Sequence, residues 1–176
     1  MRHEDLIKQM TAKQKVAFLT GKNEWESREY PQFGIPGLFF SDGPSGVRRQ
    51  EGAGDHLGLN PSVPATCFPS PSTLANSWEE QLEEKVGEAL GREAVLQNIH
   101  VLLAPGLNIK RNPLCGRNFE YFSEDPYLSG KMAAAAIRGI QKNGVGACAK
   151  HFAVNSQEER RMALNAKLDE KTLREL

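Results

Sequence analysis

A lysine and a histidine stand side by side where an apolar run ends, at Lys150 and His151. Neighbouring side chains on a regular strand point to opposite faces, so both can enter one site only where the backbone leaves strand geometry. We therefore expect strained dihedral angles or a non-proline cis peptide bond within residues 149–152. A lone histidine here is more often a core residue, but lysine is seldom buried unless it is paired, and the two together favour a functional site.

A carboxylate follows another apolar run. Asp42 lies between GLFFS and Gly43-Pro44, where a stiff turn would hold the side chain out of the sheet. The alternative is an aspartate that only accepts hydrogen bonds from turn amides. Arg48 is either the ion-pair partner of Asp42 or a second arm of the same site.

The segment RNPLCGRNFEYFSEDP, residues 111–126, mixes charged side chains with aromatic ones. Aromatic rings need cover, and the charges beside them must then be paired. Arg117 is the candidate ligand-binding cation of this loop. An ion-pair cluster that merely holds the loop down is an equal alternative.

Together these groups are one carboxylate, several cations and an imidazole, and Arg160 and Arg161 would either extend them as a basic rim or lie on the surface as plain charges. The sequence contains no phosphate loop, dinucleotide fingerprint, zinc-protease motif or nucleophile elbow. Donors and acceptors without a nucleophile and its base suit a polyhydroxyl ligand better than a phosphate. We predict no catalytic residue among them, no metal and no cofactor.

Three apolar runs and three helical segments must position these side chains. GLFFSD, HVLLAP and VGACAKHF lack polar alternation and predict strands buried on both faces. Capping boxes at Thr11 with Gln14 and at Ser77 with Glu80 predict helices over residues 12–20 and 78–97. A third helix is predicted from Pro126, after two acidic residues that suit the positive end of its dipole, to Asn143-Gly144.

The order of these elements determines the expected fold class. Strands that alternate with helices are typical of an α/β protein with a parallel sheet, in which ligands bind at the carboxyl ends of the strands. In the second helix, Leu82, Val86, Leu90 and Ala94 would form one buried stripe. Residues 51–72, rich in proline, are interpreted as a long loop over the sheet edge.

Composition limits the possible partners. The 176 residues suit one domain, and 22 basic against 22 acidic residues leave no net field for nucleic acid or an anionic membrane. No apolar run approaches the roughly 20 residues of a membrane helix. Three cysteines without metal-site spacing suit reduced thiols, so we expect a cytoplasmic protein.

Three stretches of the sequence resemble one family: GIPGLFFSDGPSGVR, VLLAPGLNIKRNPLCGRNFEYFSEDPYLSG and GVGACAKHFAVNSQEERRM. They are similar to motifs of the N-terminal domain of family 3 glycoside hydrolases of the β-glucosidase type, in the family's order and over nearly the whole chain. The resemblance implies a partial (β/α)8 (TIM) barrel that contains only the first strands and helices.

The same resemblance implies roles for the candidate residues. Asp42 and Arg48 look like the pair that grips the sugar hydroxyls remote from the anomeric carbon, and Arg117 like the arginine that shares this clamp. Lys150 and His151 resemble the pair that reaches the middle of the ring, and Arg161 resembles the arginine next to the nucleophile. The implied ligand is a small β-glucoside or oligosaccharide.

The chain departs from the family pattern in one respect. Family members hydrolyse glycosides with retention, using an aspartate nucleophile and an acid/base carboxylate that this sequence does not match, and a full barrel needs about 250 residues. We therefore expect a fragment that precedes the nucleophile and is inactive alone, from a parent that cleaves terminal β-D-glucosyl residues. A non-catalytic carbohydrate-binding or regulatory module is the alternative, and an exposed sheet edge would favour self-association.

Overall fold

The structure, a computed structural model, describes residues 3–52 and 60–176. Its strands are β1 (Phe40–Asp42), β2 (Val101–Leu103) and β3 (Gly146–Ala147). Its α-helices are α1 (Glu4–Gln9), α2 (Ala12–Phe18), α3 (Pro71–Ala75), α4 (Glu80–Leu96), α5 (Pro126–Gln141) and α6 (Glu170–Glu175), and short 3-10 helices span Pro31–Phe33 and Asn118–Glu120. None of these helices is long and apolar enough to cross a membrane.

The three strands form one parallel sheet in the order β1-β2-β3. Phe40 is in register with Val101, and Leu102 with Ala147. Helix α4 connects β1 to β2, and α5 connects β2 to β3. The predicted α/β class and parallel sheet are therefore confirmed.

Only one face of the sheet is well covered. Ser41 and Leu102 are buried, whereas the strand residues beside them are only partly buried. Leu102 packs with Leu90 and Ile140 of the two long helices, while the neighbouring residues point to the opposite face. The prediction of strands buried on both faces is thus wrong for the described residues, because the helices cover a single face.

The two long helices, α4 and α5, pack through small residues and are called the helix pair below. A Cβ added to Gly87 would lie 2.5 Å from the carbonyl oxygen of Ala136, and one added to Gly139 would clash with the carbonyl oxygen of Glu84. The backbones therefore approach more closely than larger side chains would allow. On the exposed flank, Arg138 Nε donates to Glu84 Oε2 at 3.0 Å.

One predicted helix cap is confirmed and one is wrong. Thr11 and Gln14 form the predicted capping box at the start of α2, which ends at Phe18, two residues before the predicted end. Ser77 is not the N-cap of α4, because that helix begins at Glu80 and its N-cap is Glu79. The Ser77 hydroxyl donates to the carbonyl oxygen of Leu74 at 2.6 Å and accepts from the Glu79 amide at 3.2 Å. Trp78 then has a φ of 57°, which turns the chain before α4 begins.

The buried stripe of α4 differs from the predicted one. Leu90 and Ala94 are buried, but Leu82 is 36% exposed and Val86 is partly buried. The buried residues of α4 are Glu83, Gly87, Leu90, Gly91 and Ala94. The helix is rotated about its axis because its glycines, which the apolar pattern did not weigh, face α5.

Two further expectations concern loops and helix ends. Asp125 caps α5 by accepting a hydrogen bond from the Tyr127 amide at 3.0 Å, as expected of a helix start there. The helix ends at Gln141, two residues before the predicted Asn143-Gly144, and Gly144 has a φ of 74°. The predicted long loop at 51–72 ends earlier, because α3 begins at Pro71. Residues 53–59 of that loop lie outside the described part.

Candidate functional site

The first side chain of the candidate site is held by a tight turn at the carboxyl end of β1. Gly43 has a φ of 139°, and a Cβ there would clash with the carbonyl oxygen of Gly46. The turn brings Arg48 back beside Asp42, where its amide donates to the Asp42 carbonyl oxygen at 2.9 Å. This leaves the Asp42 carboxylate free to point away from the turn.

Lys150 brings the third strand's loop to this carboxylate. Its ammonium donates to Asp42 Oδ1 at 3.2 Å, and its side chain is 15% exposed. The carboxylate thus binds a lysine 108 positions away, and the alternative in which it only accepts turn amides is wrong for the described residues. Strand β3 ends before Lys150, which pairs with Gly106 through an isolated parallel bridge.

The backbone between Lys150 and His151 departs from strand geometry as predicted. Their peptide bond is cis, and so is the bond between Phe152 and Ala153. Asn108 brackets this turn, since its Oδ1 accepts from the His151 amide at 2.7 Å and its Nδ2 donates to the His151 carbonyl oxygen at 3.0 Å.

The hydrogen bonds of His151 determine which nitrogen carries its proton. Arg117 Nη2 lies 2.7 Å from His151 Nε2, and because a guanidinium can only donate, Nε2 must accept. Nδ1 therefore carries the hydrogen and donates to the Tyr121 hydroxyl at 3.0 Å. Burial first, and then the charges of Arg117 and Lys150, lower the pKa of His151 to about 4. The imidazole is neutral at physiological pH.

Arg117 joins the ion-pair cluster and the candidate site at once. Its Nε pairs with the buried carboxylate of Glu120, and its Nη1 lies 3.5 Å from Glu158 Oε1. Burial alone lowers the pKa of Arg117, but the hydrogen bond and charge of Glu120 outweigh it, so the pKa is raised. The ion-pair interpretation of this loop is therefore confirmed, and ligand binding by Arg117 stays a prediction.

The remaining predicted residues, Arg48 and Arg161, are placed less directly. Arg48 forms no ion pair with Asp42 in the described structure, so that alternative is wrong, but its Nη2 is buried and has no hydrogen-bond partner there. Arg161 has a side chain that is 55% exposed and pairs with Glu158 at 3.1 Å. Through Glu158, which also contacts Arg117, Arg161 belongs to the edge of the cluster.

Several contributing residues were missed at the level of sequence. Tyr121 is 1% exposed, and its hydroxyl binds both His151 and Asn155, the latter at 2.8 Å. Asn108 was overlooked as well, although it is a polar residue directly after the second apolar run. An aromatic ring inside a charged loop was a usable signal for Tyr121, whereas nothing in the spacing indicated Asn155 or Glu158.

The arrangement presents mixed hydrogen-bonding groups at the carboxyl ends of adjacent strands. Each carboxylate that contacts the site cations is already paired: Asp42 with Lys150, and Glu120 and Glu158 with Arg117. The imidazole is neutral and has both nitrogens engaged. Such a site suits recognition of hydroxyl groups, and the binding roles of the six predicted residues stay a prediction.

The sequence matches known proteins over nearly its full length. Residues 52–176 match the model of the glycosyl hydrolase family 3 N-terminal domain. The chain is 53% identical to thermostable β-glucosidase B of Acetivibrio thermocellus over 97% of its own length and 23% of the relative's. It is 44% identical to an exo-α-(1->6)-L-arabinopyranosidase of Bifidobacterium breve, with the same shares. It therefore spans about a quarter of these curated relatives.

Solved structures agree with the sequence matches. A family 3 β-glucosidase of Bifidobacterium adolescentis superposes with a TM-score of 0.81 at 40% identity, over 96% of this chain and 23% of that one. β-Glucosidase 3B of Thermotoga neapolitana, in complex with α-D-glucose, gives 0.77 at 39% identity over 90% and 24%. The three-stranded sheet and its helices thus form part of a (β/α)8 barrel, and the chain belongs to glycosyl hydrolase family 3.

Proposed function

We propose that this chain binds the terminal non-reducing β-D-glucosyl residue of a small β-glucoside or oligosaccharide, as part of a retaining β-glucosidase. The observation that carries the proposal is the contact between Lys150 and Asp42, which joins groups from two strand ends at one point. The hydrogen bond between Arg117 and His151 adds a second pair, and His151 directly follows Lys150 in the chain. The names of the relatives, including structures with bound glucose, support the same class of ligand.

The hydrogen-bond donors and acceptors that these side chains still have free suit a sugar. A pyranose hydroxyl both donates and accepts, so it needs acceptors and donors side by side. Asp42 is 39% exposed and has oxygen lone pairs to spare, while Lys150 uses one of its three N–H groups on Asp42. Arg48 Nη2 is a buried donor that a ligand hydroxyl would satisfy.

We propose that the described residues hold the sugar without performing the chemistry. A retaining glycosidase needs two carboxyl groups about 5 to 5.5 Å apart, one to attack and one to protonate the leaving oxygen. Asp42, Glu120 and Glu158 are all engaged with cations. We expect the isolated chain to show no turnover of aryl β-glucosides. Turnover that persists through rigorous purification would contradict this assignment.

Glucose binding tests the proposal directly. Isothermal titration of glucose into the chain should show saturable binding in the millimolar range, and Asp42→Asn should weaken it at least about tenfold because the carboxylate acceptor is lost. Asp5→Asn, a change to an exposed aspartate of α1, is the matched control and should leave binding unchanged. Absence of any signal up to tens of millimolar glucose, on the order of the weakest useful affinities, would refute it.

A non-catalytic carbohydrate-binding or regulatory module is the second candidate, favoured by the pairing of all three carboxylates. The two candidates predict the same glucose titration but differ in a longer product of the gene. If expression with the downstream reading frame yields β-glucosidase activity that Asp42→Ala abolishes, the enzyme is supported. Since one relative is named an arabinopyranosidase, L-arabinose should be titrated beside glucose.

Two further properties belong to the proposal. The edge strand β3 pairs with β2 on one side, and no other described strand covers its outer side, which favours self-association of the isolated chain. Sedimentation of the chain across a concentration series would test this. We also propose a cytoplasmic location, which the three free thiols support.

A further inference from the structure

A cavity of about 580 Å³ lies beside the loop that carries Arg117. It is lined by α3 and the residues after it, by the loop after β2 and by the start of α5. Its lining includes Lys110, Arg111 and Trp78, and none of the residues predicted to bind the glucosyl unit. The proposed glucose site therefore leaves this cavity unexplained.

Lys110 is a half-buried cation that has no counter-ion among the described residues. Its ammonium donates one hydrogen bond, to Ser72 Oγ at 2.6 Å, and that hydroxyl is a neutral partner. No carboxylate of the described residues forms an ion pair with Lys110, so two of its N–H groups remain for a ligand. Burial lowers the pKa of Lys110, as expected of an ammonium whose charge is not compensated.

Arg111 adds a second uncompensated cation to the same lining. Its guanidinium has no ion-pair partner in residues 3–52 and 60–176. Glu124 also lines the cavity, but it is exposed and pairs with neither cation. Two positive groups against one unpaired carboxylate leave the cavity with a net attraction for an anion.

The rest of the lining suits a sugar ring. Trp78 forms one wall and is 74% exposed, which is unusual for so large an apolar side chain and leaves indole surface for a ligand. Asn118 also lines the cavity, and its Oδ1 is buried without a hydrogen-bond partner in the described structure. An acceptor in this state calls for a donor such as a hydroxyl group.

We propose that this cavity is a second ligand site, which binds a sugar that carries one anionic group. The carboxylate or phosphate of the ligand contacts Lys110 and Arg111, the ring lies against Trp78, and a ring hydroxyl donates to Asn118. The site is separate from Asp42, Lys150 and His151, so the inference does not depend on the proposed glucosidase function.

Titrations with four probes test this assignment and identify the anionic group. Glucuronate and glucose 6-phosphate each carry an anion on a glucose ring, while glucose and inorganic phosphate each supply one half of that combination. We expect at least one of the charged sugars to bind about tenfold more tightly than inorganic phosphate, and to do so unchanged in Asp42→Asn. The tighter of the two charged sugars shows whether the site prefers a carboxylate or a phosphate.

Variants of the lining sharpen the test. Lys110→Met should weaken binding of the charged sugar about tenfold or more, and Trp78→Ala should weaken it by a smaller factor. Lys13→Met, at an exposed lysine of α2, is the matched control and should change nothing. Glu124→Gln should tighten binding a few-fold, a gain that an unfolded variant would not show.

Each of the following results would overturn the inference. The first is no binding of either charged sugar at about 20 mM. The second is equal affinity in the wild type and Lys110→Met, or loss of binding in Asp42→Asn, which would place the ligand elsewhere. The third is inorganic phosphate that binds as tightly as the better of the two charged sugars, which would remove the sugar from the site.

Discussion

The helix pair and the site loops, residues 104–123 and 148–161, are held together by different means. In the helix pair, Gly87 and Gly139 let two backbones touch, and the ion pairs lie on the exposed flank. In the site loops, charged side chains are drawn inward, and Glu120 is buried against Arg117. The helix pair is stabilised by close packing, so an added methyl group should destabilise it. The site loops are stabilised by buried ion pairs, so removal of one charged partner should destabilise them.

The two regions also respond to pH in opposite directions. Burial raises the pKa of Glu83, in the helix pair, to about 7, so ionisation destabilises the fold as pH rises from 4.5 through 7. The pKa of His151, in the site loops, is lowered to about 4, so protonation destabilises the fold as pH falls from 6.5 through 4. His151 therefore makes the fold more stable at neutral pH than in acid, whereas Glu83 makes it more stable in acid than at neutral pH.

The largest effect is expected where a buried charge loses its partner. Glu120→Ala would leave the guanidinium of Arg117 with only the more distant Glu158 and would disturb the hydrogen bond to His151. We expect a loss of about 3 to 5 kcal/mol in the free energy of unfolding. Urea denaturation followed by circular dichroism measures it, and a loss below about 1 kcal/mol would show that this ion pair is not structural.

A comparable gain is expected from removing the buried carboxyl of the helix pair. Glu83 is 4% exposed and its Oε2 has no hydrogen-bond partner among the described residues. Its raised pKa corresponds to roughly 3 kcal/mol lost above pH 7 and regained below pH 4.5. Glu83→Leu should therefore be more stable than the wild type at pH 8 and nearly equal to it at pH 4.5. Urea denaturation of both proteins at pH 8 and at pH 4.5 tests this. The prediction is contradicted if the stability difference between Glu83→Leu and the wild type is the same at both pH values.

A smaller loss is expected from one methyl group between the helices. Gly139→Ala places a Cβ against the carbonyl oxygen of Glu84 and should destabilise the fold by about 2 kcal/mol. Gly130→Ala is the matched control on the same helix, because nothing lies within 4 Å of the added Cβ. It should stabilise by about 0.5 kcal/mol through helix propensity. Thermal unfolding measures both variants. Equal shifts of the unfolding temperature in Gly139→Ala and Gly130→Ala would refute the close packing at Gly139.

The smallest effect is expected from an ion pair in full solvent. Arg174 and Glu170 of α6 approach to 2.8 Å, yet both side chains are 76% exposed. Glu170→Ala should change the stability by about 0.5 kcal/mol or less. The same urea experiment used for Glu120→Ala provides the comparison, and similar losses for the two variants would mean that burial does not explain the difference.

Local signals in the sequence were sufficient for the sheet and for the starts of α2 and α5, but they gave no prediction of the short helices α1, α3 and α6. Uninterrupted apolar runs predicted the three strands, and Thr11 and Asp125 marked helix starts correctly. The rotation of α4 could not be read from apolar spacing, because close packing at Gly87 and Gly139 depends on which helix lies opposite. Ser77 misled because the capping pattern lies two residues before the true N-cap, Glu79, and a local pattern does not show where the turn after α3 ends.

The candidate site was predictable in its parts but not in its pairings. The adjacent Lys150 and His151 indicated an irregular backbone, and the structure contains a cis bond between them. The contacts of Lys150 with Asp42 and of His151 with Tyr121 join residues far apart in the chain, and spacing carries no information about such contacts. Only the resemblance to a family gave the expectation that Asp42, Lys150 and His151 lie around one sugar.

The central claim is that one glucosyl residue binds beside Asp42, Lys150 and His151. Nitrogen-detected NMR of the histidine side chains tests it most directly, with glucose added to wild type and to Asp42→Asn. We predict that His151 is a neutral Nδ1–H tautomer at pH 7, that saturating glucose shifts its nitrogen signals, and that Asp42→Asn removes the shift at the same glucose concentration. His151 signals that ignore glucose while the chain binds it would contradict the claim.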